Sequence, residues 1–162
     1  MKQIFLVGAL VGFLGVGPAF AQAAKQGEGH TAPKQQPSTA PAPTAPSGEV
    51  ALGSVHLPKV KADGKDLPAG TYTVRLTSQA PSNQDAKGET QGLERWVEFV
   101  QGGQVKGREV VTIVPQSEIS QVQKDTPPKP NSAKVETLKG GDYVRLWINR
   151  GGNYYLVHFP TA

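Results

Sequence analysis

Tyr72, Val74 and Leu76 alternate with Thr71, Thr73 and Arg75, one apolar side chain for each polar one. A period of two puts the apolar set on one face of a strand and the polar set on the other, so Thr71 to Thr77 is predicted as a half-buried strand. The other apolar runs after residue 48 are also short and bounded by glycine or proline, which is the punctuation of an all-β fold. Val50 to Leu57 opens the series. Leu67-Pro68-Ala69-Gly70 follows as a turn, with proline in the second position and glycine in the fourth suiting type I geometry. Ser78 to Leu93 reads as a long polar loop.

Two hairpins follow from glycine pairs. Glu94 to Gln101 and Gln104 to Pro115 flank Gly102-Gly103, and two glycines supply the positive φ angles of a primed turn. Counting back from that turn sets Phe99 opposite Lys106 and Val97 opposite Arg108. Apolar residues facing cations predict a bulge, placed at Gly107, that shifts Val110, Val111, Ile113 and Val114 into a new register. Tyr143 to Asn149 and Asn153 to Phe159 flank Arg150-Gly151-Gly152, and the same counting pairs Ile148 with Tyr155, Leu146 with Val157 and Val144 with Phe159. One face of this last hairpin is wholly apolar. Burying those six side chains, at roughly 1.5 to 3 kcal/mol each before chain entropy is subtracted, makes it a major part of the core. Lys134 to Leu138 supplies the preceding strand. Gln116 to Lys124 is one helical turn or a frayed strand, and Asp125 to Ser132, with Pro127, Pro128 and Pro130, is loop. The expected fold is an antiparallel β-sandwich.

The start of the chain has a different pattern. Lys2 precedes a nearly unbroken apolar run from Ile4 to Val16, and Ala19-Phe20-Ala21 has the small-x-small form of a cleavage site, so residues 1–21 read as a secretory signal peptide. The run is shorter than the roughly 20 apolar residues of a bilayer span, and no later stretch replaces it. Residues 22–48 are almost all Ala, Pro, Gln, Thr, Ser, Gly and Lys, with prolines spread from Pro33 to Pro46. They form a disordered spacer with polyproline II character, either a solvated tail or a tether. Residues 49–162 then form a single domain of ordinary size, and the protein is expected in the periplasm or the medium.

Composition narrows the possible partners and chemistry. The formal charge of +4 is spread among acidic residues without a dense basic stripe, which argues against nucleic acid as a partner. There is no cysteine. An exported domain without disulfides must be held by its apolar core, and thiol nucleophiles, thiolate metal sites and a lipidated cysteine anchor are all excluded.

The run Leu67-Pro68-Ala69-Gly70-Thr71-Tyr72-Thr73-Val74 resembles a turn and strand that recur in transthyretin-like and immunoglobulin-like β-sandwich modules of exported bacterial proteins. Trp96-Val97-Glu98-Phe99-Val100 and the hairpin ending in Tyr155-Leu156-Val157-His158 are similar to an uncharacterised group of small secreted bacterial proteins. The resemblance implies a sandwich. It implies no activity, because such modules share none.

Catalytic patterns are scarce. No serine sits in a G-x-S-x-G frame. Ser54 and His56 share a strand face, as two solvent-side polar residues do, and no orienting carboxylate can be assigned to them. His30 falls in the spacer, and His56 and His158 lack the spacing that aims two imidazoles at one metal. Glu94 and Glu98 share a face about 13 Å apart at strand rise, too far for a retaining glycosidase pair and suited to pairing with nearby cations. Asp63-Gly64-Lys65-Asp66 is a polar turn without a calcium loop's oxygen set. No metal, no cofactor and no enzymatic activity are expected.

One surface has the chemistry of recognition. On the second face of the last hairpin Tyr143, Arg145 and Trp147 alternate on one strand and Tyr154, Leu156 and His158 on the other. Exposed, they form an aromatic and basic platform for sugar rings or an extended chain; covered, they are a second core layer with Arg145 and His158 hydrogen-bonded at its rim. The leading expectation is a non-enzymatic exported module that binds an unknown protein or envelope glycan. The alternatives are a carbohydrate-binding module using Tyr143, Arg145, Trp147, Tyr154 and His158, and a small hydrolase or metal-dependent enzyme built on His56 and His158.

Overall fold

A computed structural model of the chain describes residues 45–86 and 93–162. The predicted leader 1–21, the spacer as far as residue 44 and residues 87–92 of the polar loop lie outside the described residues. The described part is antiparallel β, as the alternation and the glycine turns predict. Its strands are β1 (Val50–Leu57), β2 (Val60–Ala62), β3 (Lys65–Leu67), β4 (Gly70–Leu76), β5 (Glu94–Gln101), β6 (Gln104–Pro115), β7 (Ala133–Thr137), β8 (Tyr143–Arg150) and β9 (Asn153–Pro160). Between β6 and β7 lie a 3-10 turn, Gln116–Glu118, and a short helix α1, Ile119–Val122.

Seven strands form one sheet in the order β1-β4-β5-β6-β9-β8-β7, and β2 and β3 form a separate hairpin. The large sheet curls until its two edges, β1 and β7, approach each other. Across that seam Arg150, at the end of β8, donates from Nη2 to the Leu52 carbonyl at 3.2 Å. The carbonyl belongs to a bulge in β1, where pairing with β4 shifts between Ala51 and Gly53. Gly53 has φ +107°, and a Cβ there would lie 2.8 Å from Arg150 Nη2, so only glycine lets the guanidinium reach the bulge.

The inner face holds the main core. Tyr72, Val74 and Leu76 of β4, Val97 and Phe99 of β5, Val111 and Ile113 of β6, and the six predicted residues of β8 and β9 are all buried in it. Phe99 meets Tyr72 and Phe159 edge to face, at centroid distances of 6.3 and 5.3 Å. The Tyr72 hydroxyl turns back and donates to the Pro68 carbonyl at 2.6 Å, which ties the Leu67–Gly70 turn to the strand it introduces. Burial raises the pKa of that phenol above its ordinary value. The core also takes in Ala45, which composition assigned to the spacer.

The β2–β3 hairpin was not expected: the sequence shows Asp63 to Asp66 only as a turn. The turn proper is Asp63-Gly64, both with positive φ. Val60, Ala62 and Leu67 point inward and are fully buried against the end of the large sheet, while Val60 bridges to Thr161. Three-residue strands are too short to show a period, which is why alternation missed them.

The β8–β9 register is the predicted one throughout, with Arg145 opposite His158 and Trp147 opposite Leu156. In β5–β6 the bulge lies one residue earlier than predicted. Val100 pairs with Val105 and Phe99 with Gly107, so Lys106 is the extra residue and Val97 faces Glu109. The reason is the β2–β3 hairpin. A Cβ on Gly107 would stand 3.2 Å from Leu67 Cδ1 and 3.4 Å from Ala62 Cβ, so glycine takes the inward position and the lysine is thrown outward.

Candidate functional site

On the outer face of β8 and β9 the alternation places Tyr143, Arg145, Trp147 and Asn149 on one strand and Tyr154, Leu156 and His158 on its partner. This face is covered. Trp147 is 0 % exposed, Arg145 2 %, Tyr154 7 % and His158 7 %, with Tyr143 partly buried at the strand's start. Trp147, Tyr154, Leu156 and Val114 make a second apolar cluster, and Ile119 and Val122 from the α1 turn lie on it. Trp147 and Tyr154 meet edge to face at 5.8 Å.

The cover is a strap, residues 116–132, with no strand partner of its own. Polar groups at both of its ends hold it down. Asn149 accepts a hydrogen bond from Gln116 Nε2 at 2.9 Å and donates to the Pro128 carbonyl at 2.9 Å. Arg145 holds the middle: Nε donates to Glu136 on β7 at 2.7 Å, Nη2 to Asp125 at 2.6 Å, and Nη1 to Gln123. Its guanidinium also lies 5.0 Å from the Trp147 ring centroid. The hydrogen bond and charge of Arg145 hold the Asp125 carboxyl below the ordinary carboxylate range. At Glu136 burial pushes the pKa up, but hydrogen bonds from Lys134 and Arg145, with their charges, outweigh it and the net direction is down.

The predicted platform residues are therefore brought together but turned to packing. A glycan cannot lie on Trp147 or Tyr154 while the strap is in place. Ile119 and Val122 are the strap residues packed on this cluster and Pro128 is buried beside Asn149, a set too sparse to stand out from the polar residues around it.

The remaining candidates separate. His56 is exposed on β1 and its Nδ1 lies 3.1 Å from Thr71 Oγ1, whereas His158 is buried on β9, and β1 and β9 are not neighbours in the sheet. Ser54 is exposed on the same face of β1. Glu98 is bound by Arg75 on β4, Glu94 is buried, and Asp66 pairs with Lys59 at 3.0 Å. Among the described residues no three histidine, aspartate or glutamate side chains stand close enough to hold a metal ion, and no helix is long and apolar enough to cross a membrane.

A second region, missed from sequence, lies where the β2–β3 hairpin crosses the bulged part of β6. Ala62, Asp63, Lys65, Leu67 and Val105 to Arg108 enclose an open cleft of about 210 Å³. Gly107, Ala62 and Leu67 are its floor. Lys65, Lys106 and Arg108 stand at its rim, with Val105, 49 % exposed and the only large hydrophobic exposed among the described residues. Arg108 is held from two sides, by Asp63 at 2.9 Å from its Nε and by the Trp96 ring 4.2 Å away. The only advance signal was Gly107 breaking a strand between two cations.

Compared with models of protein families, with curated proteins and with solved structures, the chain has no match. The likeness of Leu67 to Val74 to transthyretin-like and immunoglobulin-like modules, and that of the two hairpin segments to small secreted proteins, thus rest on those short runs alone. No family follows from them.

Proposed function

We propose that the chain is an exported, non-enzymatic β-domain that recognises a partner through the open side of its sheet. The observation that carries this reading is the contrast between two faces. The aromatic face of β8 and β9, which has the chemistry to bind sugars, is consumed by the strap, and the cations beside Gly107 stay open to solvent around an apolar floor. Separation of His56 from His158 further weakens the hydrolase alternative. Export rests on the leader pattern of residues 1–21, and release on the lack of any cysteine for a lipid anchor.

Two measurements test it. The protein recovered from outside the producing cell should begin at Gln22. A photoreactive amino acid placed in turn at His56, Val105 and Lys129 should give a discrete, saturable adduct from at least one position when the exported protein is irradiated in place. Absence of an adduct at all three positions, or retention of the protein inside the cell, would remove the reading.

A further inference from the structure

Resting on that reading, we propose that the cleft between β2–β3 and β6 is the docking site, and that it takes carboxylate side chains from an acidic, extended polypeptide segment of the partner.

Size comes first. A cleft of about 210 Å³ falls below the roughly 300 to 1,000 Å³ of pockets that enclose a small molecule. It suits one or two side chains of something larger that stays mostly outside.

Charge comes second. Lys65, Lys106 and Arg108 line the cleft against a single carboxylate, Asp63. That carboxylate is already committed, because Asp63 accepts from Arg108 Nε at 2.9 Å, while its backbone N–H donates to Glu109 Oε2 at 2.9 Å and fixes the turn. Lys106 has a neutral partner, Gln104, at 2.9 Å. The cleft therefore presents a net positive rim to an incoming anion.

Geometry decides the class. The Arg108 guanidinium is 4.2 Å from the Trp96 ring and bound through Nε, so its plane is fixed before any ligand arrives while the Nη groups remain to donate. A planar fork held in advance matches a carboxylate bidentately and loses little entropy on binding. The apolar floor of Ala62, Leu67 and Gly107, with Val105 at the rim, suits the methylene stem of a glutamate. A phosphate or a sugar acid would have no such use for it. The bulge makes the site: it sends Lys106 outward and brings Gly107 under the hairpin, where any side chain would fill the floor.

The test uses the full exported chain, isotope-labelled, titrated at low salt with poly-L-glutamate. Polygalacturonate and inorganic phosphate are the parallel probes. The proposal expects saturable shifts at the amides of Val105 to Arg108 and Ala62 to Lys65 and at the Trp96 indole N–H. Arg108→Gln should weaken binding about tenfold, as loss of a charge-assisted pair does. Arg108→Lys should recover only part of that, and Lys129→Gln, which removes an equal charge from the strap loop, should leave binding unchanged.

Equal weakening by Lys129→Gln would reduce the effect to net charge and overturn the site. Shifts at the cleft with polygalacturonate or phosphate but not with poly-L-glutamate would overturn the polypeptide occupant. A photo-adduct from position 56 or 129 without one from position 105 would sink the cleft and leave the interaction reading standing, whereas no adduct anywhere removes both.

Discussion

Two arginines in this fold lie against tryptophans and bind carboxylates, yet they do opposite things. Arg145 sits by Trp147 at 5.0 Å and is 2 % exposed, with donors spent on Glu136, Asp125 and Gln123. Arg108 sits by Trp96 at 4.2 Å with its side chain 48 % exposed and one ionic partner, Asp63. The chemistry is the same, so what separates them is what lies above each. The strap lies over Arg145 and turns it into part of the interior, where every donor needs an acceptor. Among the described residues Arg108 meets above it only the edge of the short β2–β3 hairpin, and the same group stays open to solvent. What such a surface can offer follows from what the fold leaves uncovered rather than from which residue types it contains.

Removing the ring under Arg145 strikes the enclosed side hardest. Trp147→Ala should cost about 3 to 5 kcal/mol, since a fully buried indole leaves a cavity beneath the strap. The midpoint of urea unfolding measures it. A loss below about 1 kcal/mol would mean that the strap collapses into the gap and that the second core carries little of the stability.

Arg145→Leu comes next. Removing one member of a buried ionic cluster typically costs about 3 to 5 kcal/mol. The low end, about 3 kcal/mol, is expected here, because Asp125 is 62 % exposed and can return to water. The loss should be accompanied by exposure of the strap, read as new protease cleavage between Gln116 and Ser132. A destabilised variant whose strap resists protease would place the role of Arg145 in the β7–β8 ladder instead.

Acid gives a third and smaller handle. Asp125 and Glu136 both have folded pKa values below their ordinary ones. A depressed carboxylate binds fewer protons folded than unfolded, so its contribution is complete above the unfolded value near pH 4 and is lost as pH falls through the lowered folded value. The stability of the wild type should therefore decline from about pH 4 downward, and Arg145→Leu should flatten that part of the profile. Parallel acid profiles for the two proteins would show that other carboxylates set it.

How far these two regions could be seen beforehand differs for a physical reason. The face of β8 and β9 was legible because eight-residue strands repeat a period of two several times, and a two-glycine turn fixes the register from one end. Placement of Arg145 opposite His158 followed from counting. What covers that face was not legible, since the strap makes its contacts through Ile119, Val122 and Pro128 and its hold through Gln116, Gln123 and Asp125, none of which forms a repeating pattern. The cleft was hidden more deeply. Its floor depends on β2 and β3, which are too short to show a period, and on which of two adjacent residues, Lys106 or Gly107, the bulge expels. That choice is made by Leu67 and Ala62, some forty residues away in sequence, and local counting has no access to it.

The mildest substitution separates the two arginines most cleanly. Arg108→Gln should change stability by less than about 0.5 kcal/mol, because its pair with Asp63 is half exposed and its stacking on Trp96 is partly retained by the glutamine stem. The Asp63 turn is held independently, through its backbone N–H to Glu109, so losing the guanidinium does not release the hairpin. Unfolding by urea checks the stability, and the Trp96 indole signal checks that the ring has not moved. A loss near that of Arg145→Leu would mean that Arg108 is a strut for the β2–β3 hairpin, and the distinction between an enclosed cation and an available one would fail at the residue on which it depends.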